Sequence, residues 1–169
     1  KAHLMKQFNT LKNASSLKPA PEGVIDLLES LLESGSDVQM RVTGQSMRPF
    51  IRSGDVVVLE GITHQLPRCG DIVFFRNVYG KAILHRLMGF LWIDQERFSW
   101  IKADSRFSPD PPVPARKIFA RVKRVYRIDF QGRPVLKLDL CTPVGRFLNH
   151  LLFLAHFLGA NLRRSLKSL

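Results

Sequence analysis

The sequence predicts a mainly β protein: a coiled antiparallel β-sheet or barrel, preceded by a short helix and followed by a C-terminal amphipathic helix. Between Val38 and Leu138, short runs rich in Val, Ile and Phe alternate with turns such as SGD, PRCGD, VYGK and QGRP. Many short strands at this spacing bury an apolar face by curling into a barrel-like sheet. On either side of this region the apolar residues recur instead at helical spacing.

Residues 1–20 are polar and basic and read as an arm. The chain opens on Lys1 rather than a methionine, which leaves room for a segment ahead of it. Over residues 21–36, Val24, Ile25, Leu28, Leu31 and Leu32 mark one face of a short helix, with Pro21 suited to its first turn and Gly35 to its stop. Residues 37–140 hold the β domain. Its expected strands are Val38–Thr43, Asp55–Leu59, Asp71–Arg76, Ala82–Met88, Phe98–Lys102, Ile118–Ile128 and Val135–Leu138. The recurring SGD and CGD need no duplication, because a turn entering a strand asks for the same residues twice.

Residues 141–169 read as a helix with Thr142 as N-cap and Pro143 in the first position. Its apolar centre, Phe147 to Leu158, extends roughly 18 Å, too short for a hydrocarbon core of about 30 Å. Asn149, His150 and His156 interrupt it, and Arg163, Arg164 and Lys167 follow. This pattern fits a helix lying on a membrane surface and equally one packed on its own domain or on a partner, with a stripe formed by Phe147, Leu151, Leu154 and Leu158.

With 169 residues and 45% hydrophobic content, the chain is long enough for one domain with a core. Its net charge of +12 favours anionic surroundings, either nucleic acid or membrane headgroups. No stacking-aromatic or recognition-helix pattern supports nucleic acid. Cys69 and Cys141 belong to no Cys/His cluster, so neither a metal nor another cofactor is expected. Residues 1–20 lack the apolar centre of a signal peptide, and no run is long enough to span a bilayer. The expected location is peripheral to a membrane or cytoplasmic.

Ser46 lies on a loop between two expected strands, in RVTGQSMRPFIRSGD. A serine hydroxyl becomes a useful nucleophile only beside a base. His85, in KAILHRLM, shares a strand face with Ile83 and Leu87 while Arg86 points the other way. Asp104 and Asp110 follow in IKADSRFSPDPPVP, where either carboxylate could orient a histidine or cap a turn.

The ordered segments GQSMRPFIRSGDVVV, GDIVFFR, ILHR and KADSRFSPDPPVPARKIFARVKRV resemble the boxes of type I signal peptidases of the S26 group and their S24 relatives, over about Val38 to Val125. The resemblance implies a serine endopeptidase built on coiled antiparallel sheets, with a leader- or signal-bearing protein or peptide as substrate. It implies Ser46 as nucleophile, His85 as base in place of the lysine of the bacterial housekeeping branch, and Asp110 as third member. Asp104, Gly44, Met47 and Arg86 become supporting residues. Gly44 stands where signal peptidases usually carry a serine that helps the oxyanion hole, a feature closer to the self-cleaving SOS repressors. Ala103 replaces the usual glycine before the first aspartate. Two alternatives are a self-processing S24 repressor-type peptidase and a catalytically inactive basic binding module.

Overall fold

The computed structural model describes residues 22–62 and 67–167. The basic arm, Pro21 and the side chains of His156, Arg163, Arg164 and Lys167 lie outside what is described. The chain folds as α1 (Glu22–Glu33), β1 (Val38–Arg41), β2 (Val56–Gly61), β3 (Ile72–Arg76), β4 (Ala82–Ile93), β5 (Glu96–Lys102), β6 (Val113–Pro114), β7 (Ile118–Ile128), β8 (Pro134–Asp139) and α2 (Pro143–Lys167). The strands form one antiparallel sheet in the order β1-β2-β7-β3-β4-β5-β6, with β8 on β7. The protein is therefore mainly β, a curled antiparallel half-barrel with two helices.

Both sheet faces are buried, which explains why β3 reads as the continuous apolar run IVFF rather than an alternating one. Ile72 and Phe74 join Leu32, Met47, Ile51, Leu59, Leu84 and Phe119 on one face. Val73 and Phe75 join Leu87, Ile101, Val113 and Ile118 on the other. Each fully buried side chain of this kind contributes about 1.5–3 kcal/mol. The first cluster carries Met47, so the loop bearing Ser46 is anchored in the core one residue beyond it.

Helix α1 stops where Gly35 takes a φ of 83°, with Ser36 N–H donating to Leu31 O at 3.1 Å. Arg76 on β3 ties the helix to the sheet through Asp26 and through Glu29, the latter at 2.6 Å. Gly61 is required at the contact, because a Cβ there would lie 2.1 Å from Leu32 O.

The register of β7 creates a gap that positions α2. β2 occupies one edge of β7 from Ala120 to Tyr126. β3 pairs with Ile118 to Arg121 and β8 with Arg124 to Ile128, so these two strands share the opposite edge. They part around Val122 and Lys123. Helix α2 seats over this junction, started by Thr142, whose Oγ1 accepts from Gly145 N–H at 3.1 Å.

The strand expectations need two corrections. β4 continues five residues beyond Met88 and pairs with β5 as a long hairpin, and a short β6 was not anticipated. The ladder shifts register between Leu87 and Gly89, a bulge that mimics a strand end in the sequence.

Candidate active site

The Ser46 loop joins β1 to β2 and is closed at its base. Val42 N–H donates to Asp55 O at 2.8 Å, and Gly54 N–H returns to Val42 O at 2.7 Å. Asp55, 2% exposed, accepts from Arg52 N–H at 2.9 Å and from both arms of Arg127 at 2.8 Å. The turn before β3 repeats this chemistry: Asp71 accepts from Arg68 N–H at 2.8 Å, and Gly70, like Gly54, has a positive φ. The two Gly-Asp turns are thus the same device used twice, and Asp55 and Asp71 are structural.

Ser46 is half-buried. Its carbonyl accepts from Ser105 N–H at 2.9 Å, joining its loop to the segment after β5. On β4, His85 is 5% exposed and packs near Phe75, with ring centroids 6.3 Å apart. Its Nδ1 lies 2.5 Å from Asp110 Oδ2. That carboxylate holds a proton on Nδ1 and leaves Nε2 as the basic nitrogen. Asp110 is fixed in turn by its N–H, which donates to Ile101 O at 2.9 Å. No hydrogen bond joins Ser46 Oγ to the histidine ring among the described residues.

Asp104 does something else. Its carboxylate is met by Arg86 in a bidentate pair, Nε to Oδ1 at 2.8 Å and Nη2 to Oδ2 at 2.7 Å, with both side chains 1% exposed. Arg86 Nη1 also donates to Gly70 O at 2.8 Å and to Asn149 Oδ1 at 2.5 Å, while Asn149 Nδ2 donates to the same Gly70 O at 2.8 Å. Arg86 thus holds Asp104 in a buried ion pair on the opposite sheet face to His85. Beside any turn bonds its place at a strand end suits, Asp104 holds this buried ion pair.

The structural roles of two residues were missed in the sequence. Lys102, 4% exposed, donates from Nζ to Ala103 O at 3.1 Å. Burial pushes its ammonium below the ordinary lysine range; Asp104 and Asp110 oppose the shift, and Arg86 adds to it. Asn149, read above as an interruption of the helix stripe, faces the domain instead and is 6% exposed. Neither carries a sequence signal, because each is defined by neighbours distant in the chain.

Of the remaining supporting residues, Met47 is a core anchor and Gly44 is exposed with nothing within 4 Å of where a Cβ would stand. A cavity of about 330 Å³ lies beneath α2, lined by Cys69, Cys141, Arg121, Lys123 and Phe147 among others, and excludes His85 and Asp110. Among the described residues no group of three or more His, Cys, Asp or Glu side chains is placed to hold a metal ion.

A curled β domain presenting a loop serine, with a strand histidine held by a loop carboxylate, defines the class of serine peptidase-type folds. A profile of the family described as Peptidase S24-like matches residues 12–122. The chain belongs to that family. A search of curated proteins returns no match.

Proposed function

We propose that the protein is a serine endopeptidase of the signal-peptidase kind, cleaving a leader or signal segment from a protein or peptide beside a membrane surface. The observation that carries this reading is the His85–Asp110 pair at 2.5 Å, on the strand and loop that the resemblance assigns to base and orienter. His85 Nε2 takes the proton from Ser46 Oγ as the hydroxyl attacks the scissile carbonyl. The same imidazolium then protonates the leaving amine, and water completes hydrolysis of the acyl-enzyme by the reverse proton path. Asp110 holds the tautomer and stabilises the imidazolium charge. With Gly44 in place of a hydroxyl-bearing residue, oxyanion stabilisation rests on backbone N–H groups, chiefly that of Ser46; each such donor contributes about 3 kcal/mol.

The membrane component rests on α2. Phe147, Leu151, Leu154 and Leu158 are all exposed, forming an uncovered apolar stripe. No acidic residue occurs after Asp139, while Arg146, Arg163, Arg164 and Lys167 do. No helix among the described residues is long and apolar enough to cross a membrane. An anionic bilayer surface suits both the apolar stripe and the charge.

The test is cleavage of an added peptide with small residues before the scissile bond. Turnover by the wild type that disappears in Ser46→Ala and His85→Ala supports the proposal. First-order self-cleavage without turnover on added peptide favours the repressor-type reading instead, and no cleavage of either kind favours the inactive binding module.

A further inference from the structure

Helix α2 follows the family-matched segment, which ends at residue 122, yet one of its side chains closes the network beneath the nucleophile loop. Arg86 is almost fully buried, and a guanidinium has five N–H donors in a fixed fork. Asp104 takes Nε and Nη2; Gly70 O and Asn149 Oδ1 take Nη1. Asn149 also donates to Gly70 O, so Arg86, Gly70 and Asn149 form a closed three-membered ring of hydrogen bonds. This ring fixes the plane of the guanidinium and hence the position of Asp104. Directly after Asp104, Ser105 N–H holds Ser46 O.

We infer that Asn149 is a positioning residue for the proposed peptidase reaction, acting through Arg86 and Asp104 on the loop that presents Ser46. The inference rests on the serine-peptidase reading but not on the identity of the substrate or on membrane docking. Three features of the ring support a dedicated contact. Asn149 is a buried polar side chain with both its oxygen and its nitrogen satisfied by the ring. Gly70 has a φ of 95°, and a Cβ on it would lie 3.3 Å from Phe153 Cβ, so the turn and the helix approach closely there. Phe153, one helical turn beyond Asn149 and 9% exposed, supplies the apolar part of the same contact.

Positioning predicts a loss in turnover rather than in substrate binding, because a displaced nucleophile loop changes the attack geometry and leaves the binding surface in place. Small misplacements of this sort cost on the order of 10- to 100-fold in rate. Asn149→Ala should therefore lower kcat by at least about 10-fold with KM within about twofold. Asn149→Gln keeps both the acceptor toward Arg86 and the donor toward Gly70 O, on a side chain one methylene longer, and should recover kcat to within about threefold of wild type. Thermal unfolding of each variant, measured alongside, shows whether it retains a cooperative fold.

Unchanged kcat in Asn149→Ala overturns the inference, as does an Asn149→Gln variant that folds cooperatively and is as slow as the alanine. If Asn149→Ala does not fold, the glutamine variant decides: kcat near wild type supports positioning through Arg86, and a loss of 10-fold or more overturns it. Failure of the underlying peptidase reading looks different, because then wild type and Ser46→Ala are indistinguishable on the peptide.

Discussion

Removing the Asp104 carboxylate should be among the most costly single changes in this protein, and removing its partner as well should undo most of the damage. In Asp104→Ala the Arg86 guanidinium stays 1% exposed, with Gly70 O and Asn149 Oδ1 still in place but the carboxylate gone. A buried charge stripped of its counter-ion costs about 3–5 kcal/mol. Arg86→Met removes the guanidinium from the carboxylate instead and should cost a similar amount. For a chain of this size each kcal/mol lowers Tm by about 2–4 °C, so each single variant should melt roughly 6–20 °C lower. The double variant has neither charge to desolvate and keeps an apolar stem over the site. It should lose only about 1–3 kcal/mol, chiefly from incomplete packing. Urea unfolding followed by tryptophan fluorescence measures all four corners of the cycle. The expected coupling is at least about 3 kcal/mol. A double variant that loses the sum of the two singles would refute the reasoning, since it would mean that the charges are solvated separately.

Asp110→Asn should lower kcat/KM by about 10³- to 10⁴-fold while the fold is retained, because an amide no longer holds the proton on His85 Nδ1; steady-state cleavage of a soluble peptide checks it. Gly44→Ser should be neutral for stability, within about 0.5 kcal/mol, since a Cβ there meets nothing, and should raise kcat severalfold by adding an oxyanion donor; an unchanged kcat places that hydroxyl out of reach. Lys102→Met should stabilise the protein at pH 7, with the gain shrinking as the pH rises toward the titration of free lysine. Lys102 releases its proton at lower pH in the folded chain than in the unfolded one, so stability rises with pH between those two values and the burial cost is full below both. Denaturation curves from pH 7 to 10 read the trend. Phe147→Glu with Leu151→Glu should abolish sedimentation with anionic vesicles and leave the melting temperature within a few degrees, because both side chains are exposed.

The parts of the fold that depend on neighbours in the chain were legible. β7 runs from Ile118 to Ile128 as its composition indicates, and Thr142 caps α2 as its type requires. The β4–β5 hairpin was cut short because its turn uses Asp94 and Gln95 at φ 47° and 65°, positions where the usual signal is glycine or asparagine. In the site, Ser46, His85 and Asp110 stand out only together, in order and with box-like surroundings. The burial of Arg86 was not legible, since a lone arginine between strand residues is ordinarily a surface group. Its acceptors Gly70, Asp104 and Asn149 lie 16, 18 and 63 positions away, and no local pattern joins them. Asn149 was misread because helical periodicity gives the spacing of faces but not which of two half-apolar faces meets the protein.

Helix α2 therefore looks two ways, with Asn149 and Phe153 turned inward and Phe147, Leu151, Leu154 and Leu158 turned outward. Any surface that grips the outward face and prefers one seating of the helix exerts a thermodynamic bias on the Arg86 ring. Linkage makes that bias mutual: whatever stabilises the closed ring, Asn149 included, tightens the grip of the outer surface by the same factor by which that grip stabilises the ring. A helix with equal affinity for its surface in both seatings would transmit nothing, however strongly it adhered. The measurable quantity is thus the ratio of vesicle affinities of the wild type and Asn149→Ala, rather than either affinity alone.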